Sequence, residues 1–193
     1  IGIDVGERSV KAVVADRSFR ELEIHQFVEI ELPEEGGVRA ALAELAARVA
    51  RPGAHYGAAV SGHRVALRGL TLPFSDARKI AQILPGEVEG TLPFDLDDIV
   101  YDNHVAEKTA TATRLLIAAA RKEDLAGQLA LLSEVGMDPR LMEVEPLALG
   151  ALASRSAQLQ RRCVAIIDAG YASTGVAVLE NGTITYGRTT SLG

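Results

Sequence analysis

One pattern occurs twice in this chain and limits what it can fold into. It is an apolar strand that ends in Asp-x-Gly, a short polar turn, and a second strand. The first copy is IGIDVGERSVKAVVA at residues 1–15 and the second is CVAIIDAGYASTGVAVL at 163–179. With one copy near each end of 193 residues, this is a long-range duplication rather than a tandem repeat of short period. A single Asp-x-Gly is an ordinary hairpin signal. Two copies, one closing on a lysine, also fit a turn built to hold an anion. Gly6 and Gly170 let the backbone approach a ligand closely, and successive N–H groups in such a turn form an anion-binding concavity. Ser9, Ser173 and Thr174 add hydroxyls, and Lys11 could reach a phosphate as a point charge. Asp4 and Asp168 would repel a bare phosphate, and beside one they make sense if they hold a hydrated Mg²⁺, which uses few carboxylates and keeps several waters.

Between the two turns the chain alternates strands and helices. Residues 21–32 read as a strand with Ile24, Phe27 and Ile30 among its apolar positions. Residues 38–51 place Val38, Leu42, Leu45 and Val49 at helical spacing before Pro52-Gly53. Residues 57–74 suggest two short strands, and 76–91 a helix interrupted by Pro85-Gly86. A turn then leads to a strand within 91–108, another strand follows at 113–120, and a helix at 121–136 closes on Gly136. A strand at 137–145 and a helix at 146–155 lead to the second turn, whose hairpin closes at Asn181-Gly182. The run 163–168 reads as a buried strand, which predicts Cys163 in a core.

The net charge of −6 argues against generic nucleic-acid binding. No apolar stretch approaches the roughly 20 residues of a membrane span. A single cysteine excludes an internal disulfide and fits a reducing compartment. His25, His55, His63 and His104 lack metal-ligand spacing, and no Gly-x-Ser-x-Gly, His-Glu-x-x-His or P-loop lysine motif is present. The chain has no initiator Met and stops directly after a strand-like run, which reads as a piece of a longer protein.

The paired turns resemble the phosphate loops of the actin/sugar-kinase/Hsp70 ATPase superfamily, where each of two related domains contributes one hairpin to a nucleotide clamp. Asp4, Gly6 and Lys11 match the first loop, and Asp168 and Gly170 the start of the second, with Tyr171-Ala172 where many members have a further glycine. The segments LPFDLDDIVYDNHV (92–105), LLIAAARKEDL (115–125) and MEVEPLALGAL (142–152) are similar, in order, to the pilus-assembly family PilM and its relatives GspL and FtsA. That resemblance implies an α/β, actin-like (ribonuclease H-like) ATPase fold with an FtsA-type inserted subdomain. It places a first half-domain at 1–54 plus 121–160, the insert at 55–120, and the truncated start of a second half-domain at 161–193.

The resemblance further implies ATP and Mg²⁺ as cofactors, with Asp4 and Asp168 facing the metal through water. Glu143 or Glu145 would orient the attacking water. Their alternative role is to cap the helix that starts near Pro146. The implied function is a scaffold at the cytoplasmic face of the bacterial inner membrane, in a type IV pilus or type II secretion platform, with at most weak ATPase activity. Its implied partners are the cytoplasmic tail of an inner-membrane pilus or secretion protein, docked in a groove between the insert and the first half-domain, and the motor ATPase of the system. A homo-oligomer is a further implication. A sugar or small-molecule kinase of the same superfamily and an FtsA-like membrane tether of cell division are the alternatives.

Overall fold

The computed structural model describes residues 1–18, 21–92 and 94–192. In chain order the elements are β1 (Gly2–Val5), β2 (Ser9–Arg17), β3 (Leu22–Glu31), α1 (Gly37–Val49), β4 (Tyr56–Val60), β5 (Val65–Leu72) and α2 (Ala77–Thr91). They continue with β6 (Ile99–Lys108), β7 (Thr113–Arg121), α3 (Lys122–Glu134), β8 (Pro139–Val144), α4 (Glu145–Ser154), β9 (Cys163–Ala169), β10 (Thr174–Glu180) and β11 (Thr183–Thr190). The chain divides into two compact units: Ile1–Ser61 with Leu125–Glu143, and Gly62–Asp124 with Val144–Gly193. Among the described residues no helix is long and apolar enough to cross a membrane.

The first unit is built on a five-stranded sheet in the order β3-β2-β1-β4-β8. The hairpins β1–β2 and β2–β3 are antiparallel, while β1 and β4 run parallel, with Gly2 opposite Gly57 and Ile3 opposite Ala58. The spacing of Leu42, Leu45 and Val49 puts them on one face of α1, and each is fully buried. They pack with Val10, Val14, Ile30, Leu132 and Met137 into a single core. α3 ends as the glycine predicts. Gly136 takes a φ of 70°, its N–H bonds the Ser133 carbonyl at 2.9 Å, and the Met137 N–H bonds Leu132 O at 3.0 Å, a Schellman ending.

One expected apolar position in β3 behaves differently. Phe27 is 76% exposed. β3 is an edge strand, and its pleat sends Val28 and Ile30 to the core and Phe27 to the opposite face.

The second unit holds two three-stranded sheets, β5-β7-β6 and β11-β10-β9. β7 is the centre of the first, and its unbroken apolar run is used on both faces. Leu115, Ile117 and Ala119 join Leu84 and Val88 of α2, while Leu116 joins Leu67, Val144, Leu147, Leu179 and Ile184. Pro85 lies inside α2 without ending it, and Asp76 caps the helix by accepting the Lys79 N–H at 2.8 Å. The β10–β11 hairpin closes through Asn181 (φ 53°) and Gly182 (φ 80°), the two positive dihedrals of a type I′ turn.

β9 differs from expectation. Cys163 is exposed, not in a core, and Ile167 is 68% exposed. The strand lies at the edge of its sheet. A continuous apolar run fits a strand covered on both faces, yet here most positions of β9 are open.

Candidate functional site

The duplication seen in the sequence is a duplication of geometry. In the first unit Gly6 N–H donates to the Ser9 carbonyl at 3.0 Å, and in the second Gly170 N–H donates to the Ser173 carbonyl at 2.9 Å. A Cβ added to either glycine would sit 3.0 Å from that same carbonyl oxygen. The glycines are therefore required by close backbone approach, not by a positive φ. The strands that frame the turns correspond as well, with Val5 opposite Val10 and Ala169 opposite Thr174.

One step further from each turn the two copies diverge. Asp4 stands opposite Lys11, and Lys11 Nζ lies 3.6 Å from Asp4 Oδ2. Asp168 stands opposite Gly175, so the second turn has no matching cation. The first turn thus carries a compensated pair and the second a lone exposed carboxylate on its strand.

Two of the three hydroxyls proposed for the ligand, those of Ser9 and Thr174, are engaged by the protein. Ser9 is buried, and its Oγ donates to Glu29 Oε1 at 2.6 Å. Thr174 Oγ1 donates to the Leu192 carbonyl at 2.6 Å. Each oxygen keeps acceptor lone pairs, but its proton is directed into the fold. Tyr171, whose bulk marks the second turn, is 73% exposed and projects outward instead of filling the turn.

Glu145 opens α4 and accepts the Gly62 N–H at 3.2 Å. α4 has Val144 as its N-cap and no side-chain capping bond, so Glu145 supports the helix through its first-turn position while its carboxylate reaches a different segment. Glu143 lies in β8. Asp4, Gly6, Ser9 and Lys11 fall together in the first unit; Asp168, Gly170, Ser173, Thr174 and Glu145 belong to the second.

Among the described residues no three His, Cys, Asp or Glu side chains converge on a metal-sized site. The proposed metal-facing residues, Asp4 and Asp168, supply one hard carboxylate beside each backbone turn. That donor set suits Mg²⁺ held largely through water and would not make an all-protein cage. Sequence reasoning missed Glu29 as the partner of Ser9 and Gly62 as the partner of Glu145, because both contacts span long stretches of chain.

A family model described as Type IV pilus assembly protein PilM matches residues 2–193. The chain is similar to a solved PilM-PilN type IV pilus biogenesis complex, at 24% identity and a TM-score of 0.82, covering 99% of this chain and 61% of that one. It is similar to the cytoplasmic domain of EpsL, an inner membrane component of the type II secretion system of Vibrio cholerae, at 14% identity and a TM-score of 0.65, covering 98% and 70%. It also matches a Bacteroides thetaiotaomicron protein of unknown function with an actin-like ATPase fold, at 10% identity and a TM-score of 0.57, covering 99% and 69%. The fold is therefore the actin-like ATPase fold, and the chain spans about three fifths of the length of the chain it matches in the PilM-PilN complex. In the quoted LPFDLDDIVYDNHV segment Pro93 lies outside the described residues, as does the terminal Gly193.

Proposed function

This chain belongs to the type IV pilus assembly protein PilM family, and on that premise we propose that it is the actin-like scaffold of an inner-membrane pilus platform, working at the cytoplasmic face. We read 1–54 plus 121–160 as its first half-domain, 55–120 as the inserted subdomain and 161–193 as the start of the second. The finding of a PilM-PilN complex supports an inner-membrane pilus protein as the partner. A motor ATPase and further copies of the chain complete the assembly in this reading.

The observation that carries nucleotide binding is the matched pair of turns, each with the same glycine N–H to serine carbonyl bond. In our reading Gly6, Ser9 and Lys11 from one turn and Gly170, Ser173 and Thr174 from the other hold the phosphates of ATP. Asp4 and Asp168 hold its Mg²⁺ through water, which would also relieve Asp4 of its dependence on Lys11. Glu145 is the residue we place near the attacking water. ATP with Mg²⁺ supplies a phosphate chain to clamp; hydrolysis, if it follows, is slow. A specific observation favours a second reading in which the turns are relics: the Ser9 and Thr174 protons already have protein acceptors.

Calorimetry with Mg-ATP on the natural full-length protein separates the two. Binding in the wild type that is lost in both Asp4→Asn and Asp168→Asn supports the clamp. Absence of binding in the wild type makes the protein a docking platform whose turns serve the fold alone.

A further inference from the structure

A row of charges crosses the sheet of the first unit beside its turn. Asp4 of β1 stands opposite Lys11 of β2, and Lys11 stands opposite Glu29 of β3. Ile3, Val10, Val28 and Ile30 belong to the core, so alternation sends Asp4, Ser9, Lys11 and Glu29 to the other face. The β2–β3 register shifts only further along, between Val14 and Ala15, and leaves this row intact. Two carboxylates flank one ammonium, which gives the row a net negative charge.

The two carboxylates are used differently. Asp4 Oδ2 lies 3.6 Å from Lys11 Nζ. Glu29 Oε1 instead accepts the proton of the buried Ser9 hydroxyl at 2.6 Å. Among the described residues no lysine, arginine or histidine lies within 4.0 Å of the Glu29 carboxylate. A neutral hydroxyl fixes a carboxylate in place without cancelling its charge. The second turn has no counterpart, because its equivalent row reads Asp168, Gly175, Thr189.

We propose that Glu29 determines which form of ligand the first turn accepts: a phosphate chain carrying a divalent cation, and not the bare polyanion. This rests on the reading of the turns as a phosphate clamp. Adjacent strands lie about 5 Å apart, so a phosphate within reach of Lys11 falls inside the range over which the Glu29 charge acts at ordinary salt. A nucleoside triphosphate without metal carries roughly two more negative charges than its Mg²⁺ complex and is repelled in proportion. The charge of Asp4 is offset by Lys11, and in the clamp by the cation. Glu29 has neither offset, so its repulsion falls on the ligand and selects between the two forms. Ser9 belongs to the same device, since its hydroxyl keeps the carboxylate in the row.

The test is calorimetry on the natural full-length protein, with ATP in excess Mg²⁺ and with ATP in EDTA. The quantity read is the ratio of the dissociation constant in EDTA to that in Mg²⁺. Glu29→Gln keeps an acceptor for Ser9 and removes the charge. It should tighten ATP in EDTA more than Mg-ATP, lower the ratio about fivefold at low salt and leave the thermal melt in place. High salt should shrink that effect. Glu29→Asp keeps the charge and should hold the ratio near that of the wild type. Glu23→Gln makes the same charge change on β3 roughly 20 Å further along the strand and should leave the ratio unchanged.

A ratio that Glu29→Gln leaves unchanged overturns the proposal, as does an equal fall in Glu29→Asp or Glu23→Gln. In each of those cases Mg-ATP binding that is lost in Asp4→Asn and Asp168→Asn keeps the clamp reading. A ratio that falls only in Glu29→Gln, with binding that survives Asp4→Asn and Asp168→Asn, supports the role of Glu29 and sinks those two residues as the clamp's metal holders. Binding of neither form by the wild type or by Glu29→Gln overturns both.

Discussion

The glycines separate into those whose purpose can be read locally and those whose purpose cannot. Gly6 and Gly170 were legible because a tight Asp-x-Gly turn is a property of a few adjacent residues. Gly62 was not. A Cβ there would lie 1.9 Å from Thr189 Oγ1 and 2.9 Å from Thr189 Cβ, a contact made by a residue distant in sequence. Gly62→Ala is accordingly expected to destabilise the protein by about 1–3 kcal/mol, measured as a lower urea midpoint, with part of the loss recovered in Gly62→Ala/Thr189→Gly. An undiminished midpoint in the single variant would show that the Thr189 strand yields freely. Gln128 teaches the same lesson: a polar residue of an amphipathic helix is buried because its Nε2 donates to the Ala59 carbonyl at 2.7 Å. Periodicity marks which face a residue occupies, but not which distant backbone group waits for it.

Helices and strands were largely readable as elements, and the departures have physical causes. Pro85 weakened the sequence signal for a helix at 76–91, yet α2 passes through it because Leu84 and Val88 are buried against β7 and Asp76 caps the start. Tertiary packing outweighs the missing N–H. Pro85→Ala should therefore raise the melting temperature, by up to about 3 kcal/mol of stability; a lower melting temperature would mean the ring itself fills a needed space. β9 was misread because an apolar run says nothing about which neighbours will cover it. α1 and α3 are joined by a contact of another kind, Arg39 Nε to Glu134 Oε2 at 2.8 Å and Arg39 Nη2 to Glu134 Oε1 at 3.0 Å. The hydrogen bonds from Arg39 hold the Glu134 carboxyl below its ordinary pKa, and the carboxylate raises that of Arg39. A depressed carboxyl stabilises the fold above its unfolded-state value and ceases to do so as pH falls through its folded value. Arg39→Gln should lower the melting temperature slightly at neutral pH, and the gap from wild type should close below about pH 4. A gap that stays constant down to that pH would remove the ion pair as its cause.

At the scale of the whole molecule the fold class and the duplicated turns were present in the order of the elements, whereas the core contacts between distant segments were not. Leu67 and Leu116 share a core with Leu179 and Ile184, far along the chain, and no local pattern announces that. The interleaving of segments has a consequence for how the chain is made. The first unit needs Leu125–Glu143, yet the whole of 62–124 is synthesised between its two pieces. At roughly 5–20 residues per second the ribosome leaves the β1–β4 segment without Leu132 and Met137, both fully buried in the finished core, for several seconds. A nascent chain halted after Asp124 should be cleaved rapidly by protease throughout 1–61, and one that also exposes 125–143 beyond the exit tunnel should resist. Equal resistance in both would mean that α1 alone seals the sheet. The insertion therefore acts as a delay during translation, and a chaperone that shields apolar strands would find its substrate in that interval.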